Sequence, residues 1–190
     1  AVYDRMQGLY MDKGYIYSRI EPEITPVDDD SLDIHFIISE NHKVYIRNIL
    51  IKGQEVYAKL KYSNFPVIAA PSNLALGGGC EILLHSDYIQ AHIESYIGLT
   101  EAALGILPAW GGCKELLSRF SNDQTIPKGP MVPIIKTFEL IGMAKVSSSA
   151  HEAQKLGYLK KSDGITMNRN RLLYDAKSKA IELSKNFIPP

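Results

Sequence analysis

The spacing of apolar residues changes several times along the chain, and each change marks a predicted element. From 3 to 13, Met6, Leu9 and Tyr10 recur at helical spacing, and Gly14 follows where a left-handed cap would end a helix. Tyr15-Ile16-Tyr17-Ser18-Arg19-Ile20 is dense in strand formers, whereas Pro22, Pro26 and Asp28-Asp29-Asp30 predict a solvated connection. Apolar and polar residues alternate over 32–38 and again over 43–49, which predicts two further strands. Glu40-Asn41-His42 between them suits a hairpin turn, because Asn tolerates positive φ. One helix and three strands can cover one face of a small sheet but give little stand-alone core.

At about Gly53 the character changes. Val56 and Leu60 predict a helix ending near Tyr62, and the Ala-rich run 66–71 predicts a short buried strand. A glycine turn over 74–79 launches a helix over 80–85, and two short strands follow at 88–92 and 95–98. Further helices are predicted from Gly112 to about Arg119 and over 131–141, 149–156 and 172–183, with Ser149 able to cap the third of these. Strands giving way to several helices indicate an α/β or α+β body.

Composition narrows the function classes. With 45% hydrophobic and 22% charged residues, most of the chain should fold. Lys plus Arg and Asp plus Glu both number 21, so no global positive field gathers nucleic acid or an anionic membrane. Two cysteines, Cys80 and Cys113, are too few for a disulfide framework and fit a reducing compartment. No apolar run reaches the roughly 20 residues of a membrane helix, and Ala1 in place of Met points to a processed or excerpted chain.

The chemistry concentrates between Gly77 and Gly112. Three consecutive glycines, Gly77-Gly78-Gly79, cost backbone entropy and fit a place where the chain approaches another group. Between a strand and a helix, such a turn can aim an unsatisfied N–H at an anion. A thioester carbonyl gaining charge in a transition state is one such anion, where a single donor is worth on the order of 3 kcal/mol. The turn could equally serve close strand–helix packing. Glu81, in the first turn of its helix, can act as a dipole cap or as a catalytic carboxylate, and Glu101 follows the next strand. Two carboxylates brought from separate elements onto one pocket can divide acid and base roles or jointly hold a water.

Other candidates are weaker. Gly111-Gly112 presents a second helix N-terminus and reads as a chain turn, while His85 reads as a packed or hydrogen-bonded residue. His92, Cys80 and Cys113 have no spacing that builds a tetrahedral metal site, so no metal is expected. Trp110 reads as core or surface cover, or as the cover of a pocket mouth, and His35 and His42 carry no role. The glycine turn lacks the later spaced glycine and acidic strand end of a nicotinamide-binding fingerprint.

Residues 53–190 resemble the enoyl-CoA hydratase (crotonase) family, especially the hydratase part of bifunctional 3-hydroxyacyl-CoA dehydrogenases of fatty-acid β-oxidation. The resemblance rests on Pro66-Val67-Ile68-Ala69-Ala70-Pro71, Leu74-Ala75-Leu76-Gly77-Gly78-Gly79-Cys80-Glu81, Ser95-Tyr96-Ile97-Gly98-Leu99-Thr100-Glu101 and Gly105-Ile106-Leu107-Pro108-Ala109-Trp110-Gly111-Gly112. It implies that Gly78 is an oxyanion-hole amide and that Glu81 and Glu101 are the two catalytic glutamates. Glu101 would protonate the α-carbon and Glu81 would orient and activate the water. It further implies a coenzyme A thioester substrate, no tightly bound cofactor, a cytoplasmic setting and a homo-oligomer, since 148–157 resembles the region before the family's trimerisation helices. No ββα repeat precedes Pro66 and no early loop supplies the first oxyanion amide, so activity is expected to suffer from truncation.

Residues 1–52 resemble a POTRA repeat of outer-membrane barrel assembly proteins, through Tyr10, Lys13-Gly14-Tyr15, Glu21-Pro22, 32–38, Ser39-Glu40-Asn41 and 43–53. That resemblance implies a module binding an outer-membrane protein client at the periplasmic face of the membrane. The expected architecture is therefore an incomplete crotonase-like ββα body over 53–190, preceded by a partial α+β POTRA-like segment over 1–52. The expected function is 2-enoyl-CoA hydration, with the POTRA module and a non-functional remnant or composite of two proteins as alternatives.

Overall fold

The computed structural model describes residues 5, 9, 19–28, 31–39, 46–127 and 129–190. The chain divides into two compact units, Ala1–Ile51 and Lys52–Pro190. In the smaller unit, β1 (Arg19–Asp28) and β2 (Ser31–Ser39) form an antiparallel ladder running from Arg19 opposite Ser39 to Asp28 opposite Ser31, with a register shift between Pro26 and Asp28. Arg5 and Leu9 are helical, the rest of the helix expected over 3–13 lies outside the described residues, and so does the expected turn at 40–42.

Two expectations for this region fail. Pro22 and Pro26 were expected in a solvated connection and lie instead within β1. In a two-stranded ladder every strand has a free edge, and residues four apart share one parity, so both missing N–H groups can face away from β2. The strand expected over 43–49 is replaced, from Ile46 onward, by helix α1 (Ile46–Lys61). Ile46, Leu50, Gly53, Tyr57 and Lys61 fall three or four apart, and this longer helical rhythm prevails over the local alternation. Gly53 lies inside this helix, and the two compact units divide within the same helix, between Ile51 and Lys52. The third strand of the POTRA-like reading is lost with it.

The larger unit is built on two parallel sheets. A three-stranded sheet has the order β3 (Ile68–Ala69), β5 (Tyr88–His92), β7 (Gly164–Thr166), and a separate pair joins β4 (Leu74–Leu76) to β6 (Tyr96–Gly98). Strand β7 went unrecognised in the sequence because three residues show no period. The 66–71 run, expected to be buried, is half-buried up to Pro71, since β3 lies at the edge of its sheet. Around these strands pack α2 (Gly78–His85), α3 (Gly112–Asn122), α4 (Met131–Gly142), α5 (Ala150–Leu156) and α6 (Leu172–Ser184). Ser149 caps α5 as expected, its side chain accepting from the Glu152 N–H at 3.2 Å.

One apolar core holds the unit together. Ile89 and Ala91 of β5, Ile97 and Leu99 after β4–β6 pairing, Leu83 and Leu84 of α2, Leu116 and Phe120 of α3, and Tyr158 are all buried in it. Its polar groups are satisfied locally: the Tyr158 hydroxyl donates to the Lys145 carbonyl at 2.7 Å, and Asp163 accepts from the Ile89 and Lys160 N–H groups at 3.0 and 2.6 Å. No helix among the described residues is long and apolar enough to cross a membrane.

Gly98 closes β6 against the main chain of the segment before α5. A Cβ there would lie 2.7 Å from the Lys145 carbonyl oxygen and 3.0 Å from the Val146 Cα, atoms that cannot swing aside. Gly98→Ala is expected to destabilise the chain by about 2 kcal/mol, as overpacking against backbone does, measured as a lower urea midpoint. An unchanged midpoint would show that the Gly98–Val146 bridge is dispensable.

Candidate active site

Strands β4 and β6 run in the same direction and in register, Leu74 beside Tyr96 and Leu76 beside Gly98. Their carboxyl ends therefore emerge side by side, the position where open parallel structures place ligands. Beyond Leu76 the chain turns at Gly77, with φ +52° and ψ −124°, a backbone conformation almost confined to glycine. The Gly77 N–H donates to the Gly98 carbonyl at 2.9 Å, so the turn is tied to the end of β6. Helix α2 starts at Gly78, whose N–H has no acceptor within the helix, and Glu81 follows one turn later. Beyond Gly98, the chain enters a short 3-10 helix, Glu101–Leu104, that begins with the second carboxylate.

Both glutamates contact Gly77, Glu81 through its main chain and Glu101 through its side chain. The Gly77 carbonyl accepts the Glu81 N–H at 3.0 Å, and a Cβ built on Gly77 would lie 3.5 Å from Glu101 Oε1. Glu81 is 2% exposed and Glu101 8%, yet neither forms an ion pair among the described residues. Glu81 Oε1 accepts the Trp110 N–H at 3.0 Å and the Gly112 N–H at 2.8 Å, which fixes that carboxylate at the N-terminus of α3. Gly112 must lack a side chain for this contact, since a Cβ would stand 3.0 Å from Glu81 Oε1. The Gly111-Gly112 pair, read from sequence as a turn, is thus also the clamp on Glu81.

The electrostatics follow from burial. Desolvation raises the Glu81 carboxyl above its ordinary range; the Gly112 N–H opposes the rise, the neighbouring Glu101 charge adds to it, and the Trp110 N–H opposes it. Burial likewise raises Glu101, partly countered by the main-chain N–H groups at Glu101 and Thr100. Its Oε2 is buried with no hydrogen-bond partner. Burial thus favours the protonated form of both carboxyls, Glu81 against the pull of two N–H donors.

Sequence reasoning missed Tyr57, although Gly53, Tyr57 and Lys61 recur every four residues on one face of α1. The Tyr57 hydroxyl donates to the Gly78 carbonyl at 2.9 Å, and its ring packs on His85 and Trp110 with centroids 5.3 and 5.4 Å away. Lys61 on the same face pairs with the buried carboxylate of Glu115. His85 is the packed residue expected: Nδ1 lies 2.7 Å from the Glu81 carbonyl, so that nitrogen carries the proton, and burial holds the ring below its ordinary pKa. His92 is likewise structural, bonded to the Met167 carbonyl at 3.1 Å. Cys80 is fully buried beside the glutamates, where desolvation drives its thiol pKa up and away from reactivity. No cluster among the described residues could hold a metal ion. A cleft of about 700 Å³ lies at the other end of α2, between His85, Glu115, Arg119 and Lys160.

Comparison with known proteins gives a consistent picture. Residues 37–123 match the family model described as enoyl-CoA hydratase/isomerase, a match that begins inside the segment assigned above to a POTRA-like repeat. The chain is 43% identical over 156 residues to a Bacillus subtilis protein named "Probable 3-hydroxyacyl-CoA dehydrogenase", covering 82% of this chain and 18% of that protein. It is 31% identical over 139 residues to the short-chain-enoyl-CoA hydratase of Clostridium acetobutylicum, covering 63% of this chain and 53% of the relative. Among solved structures, the enoyl-CoA hydratase of Bacillus anthracis superimposes with a TM-score of 0.59 and 26% identity, over 74% of this chain and 48% of that one. The chain therefore spans about half, or less, of the length of these relatives, and its fold is the crotonase-like α/β fold.

Burying an unpaired carboxylate costs stability, and the sign of the cost sets its pH dependence. A glutamate whose folded pKa exceeds the unfolded value of about 4.3 binds more protons folded than unfolded in the window between them, so stability falls as pH rises through it. Glu101→Gln removes that loss. The variant is expected to match the native chain below pH 4 and to exceed it by on the order of 1 kcal/mol at pH 7, read from urea midpoints across that range. A variant less stable than native at pH 7 would mean that the Glu101 charge has a stabilising partner.

Proposed function

We propose that this chain, whose residues 37–123 match the enoyl-CoA hydratase/isomerase family model, carries the two-carboxylate centre for adding water to 2-enoyl-CoA thioesters. The observation that supports this reading best is the delivery of Glu81 and Glu101, from two parallel strand ends, to either side of a helix N-terminus whose first N–H is free. The thioester oxygen accepts from the Gly78 N–H. As water adds to the β-carbon, the carbon–carbon π electrons move toward the carbonyl and the oxygen takes up negative charge, where a preorganised amide is most effective.

Glu81, held rigid by two N–H groups, orients the water and receives a proton from it. Glu101 donates a proton to the α-carbon, and burial, which raises its carboxyl pKa, favours the protonated form that this step needs. The product is a 3-hydroxyacyl-CoA: one C–O and one C–H bond form, and the double bond is consumed. Acyl-CoA and water are the only reactants, so the chemistry requires no bound cofactor. The names of the relatives, one a dehydrogenase, are consistent with a role in fatty-acid oxidation.

A homo-oligomer belongs to the same reading. Helix α4 leaves Met131, Ile134, Ile135 and Phe138 exposed and packs against the 3-10 helix that ends in the exposed Leu104, and such an apolar face favours association.

The reading is tested by hydration of crotonyl-CoA, followed as loss of the conjugated enoyl absorbance. Glu81→Gln and Glu101→Gln are each expected to lower kcat/KM by roughly 10²- to 10⁴-fold. Native turnover no faster than that of either variant would remove the catalytic assignment of the pair.

A further inference from the structure

The first turn of α2 opens with two residues that have no side chains. Gly78 and Gly79 gain conformational freedom from that lack, and a Cβ on Gly79 would meet no atom within 4 Å, so packing does little to steady this part of the turn. Hydrogen bonds hold it instead. The peptide plane that carries the Gly78 N–H is fixed at its carbonyl end, where Gly77 accepts the Glu81 N–H at 3.0 Å. The next plane is fixed from another element, because the Tyr57 hydroxyl donates to the Gly78 carbonyl at 2.9 Å. A side chain at position 78 would disturb this contact: a Cβ there would lie 3.4 Å from the Tyr57 hydroxyl oxygen and 3.1 Å from Trp110 Cζ3.

Tyr57 is itself held in place. Its ring packs on His85 and Trp110. Along α1 it stands between two further ties, Gln54 donating to the Ala109 carbonyl at 2.8 Å and Lys61 paired with Glu115. Burial raises the phenol pKa, and the charges of Glu81 and Glu101 add to the rise, so the hydroxyl keeps its proton and remains a donor.

We propose that Tyr57 is a positioning residue of the hydratase centre: through the Gly78 carbonyl it holds the Gly78 residue, and with it the N–H that receives the oxyanion, in one orientation. The inference rests on the hydratase reading above and adds a residue to it. An amide lowers the barrier most when it is already aimed as charge develops, whereas a glycine turn free to reorient must first be ordered. The thioester oxygen carries little charge in the ground state, so the effect of Tyr57 falls on the transition state and not on substrate binding.

Acetoacetyl-CoA is the probe. Loss of a proton from the carbon between its two carbonyls gives an enolate with its own ultraviolet band, and an aimed Gly78 N–H favours that enolate over the neutral ketone. The enolate-to-ketone ratio of bound probe belongs to folded, liganded chains alone, so a mere loss of stability leaves it unmoved. In the full 190-residue chain, Tyr57→Phe keeps the ring and its packing. It is expected to lower that ratio roughly threefold to tenfold, the range of one hydrogen bond, to lower kcat for crotonyl-CoA by a similar factor and to leave KM within about twofold. Ser149→Ala, which removes the α5 cap, is the structural control: its urea midpoint should fall while its ratio stays native. A native ratio and kcat in Tyr57→Phe, with Glu81→Gln and Glu101→Gln still suppressing hydration, would overturn the proposal and leave the hydratase reading standing. If the native chain neither holds the probe as enolate nor outpaces the glutamate variants, both fall.

Discussion

The in-register parallel pairing of β4 with β6 is the constraint on which the candidate site depends. Three residue pairs, ending in Leu76 beside Gly98, place two otherwise unrelated loops next to each other. A one-residue slip would turn the side chains of one strand to the opposite face and shift Gly77 away from the Gly98 carbonyl that anchors it. The pairing is itself secured from outside: the Ile97 N–H donates to the Ser147 hydroxyl at 2.9 Å, and the Ser95 hydroxyl donates to the Pro71 carbonyl at 3.1 Å. Segments on both sides of the pair thus hold its register, and Gly98 permits the closest of those approaches.

The site sits inside the fold at a cost to it. Two carboxyls within a mainly apolar neighbourhood are poor for stability; Glu81 receives compensating donors from the α3 N-terminus and Glu101 from nearby main-chain N–H groups. Glu101 still keeps an unpartnered oxygen. Such an arrangement persists where chemistry uses the proton affinity that burial creates. The glycines follow the same logic, since each serves a separate need: Gly77 supplies the positive φ, Gly112 leaves room for the Glu81 carboxylate, and Gly53 and Gly78 leave room for the indole.

Reading the first fifty residues as a separate repeat family went astray at one element. The alternation over 43–49 is real in the letters, but a short period-two run embedded in a longer period-3.6 pattern cannot decide between strand and helix. With Ile46–Lys61 a single helix, the division between the two units falls within it, and Tyr57 comes into contact with the glycine turn. The family match from residue 37 runs through the same stretch.

The sequence by itself determined the helices of the larger unit, the glycine turn and the identity of the acidic pair, because capping residues, apolar period and glycine clusters are local signals. It also carried the likeness of residues 66–112 to a hydratase. Only the tertiary structure decided that Glu81 bonds to the N-terminus of a helix thirty residues later, that Trp110 lies on Gly78, and that Tyr57 holds the turn. Those contacts join residues 21 to 32 positions apart, and no periodicity within one segment encodes which distant segment will pack upon it.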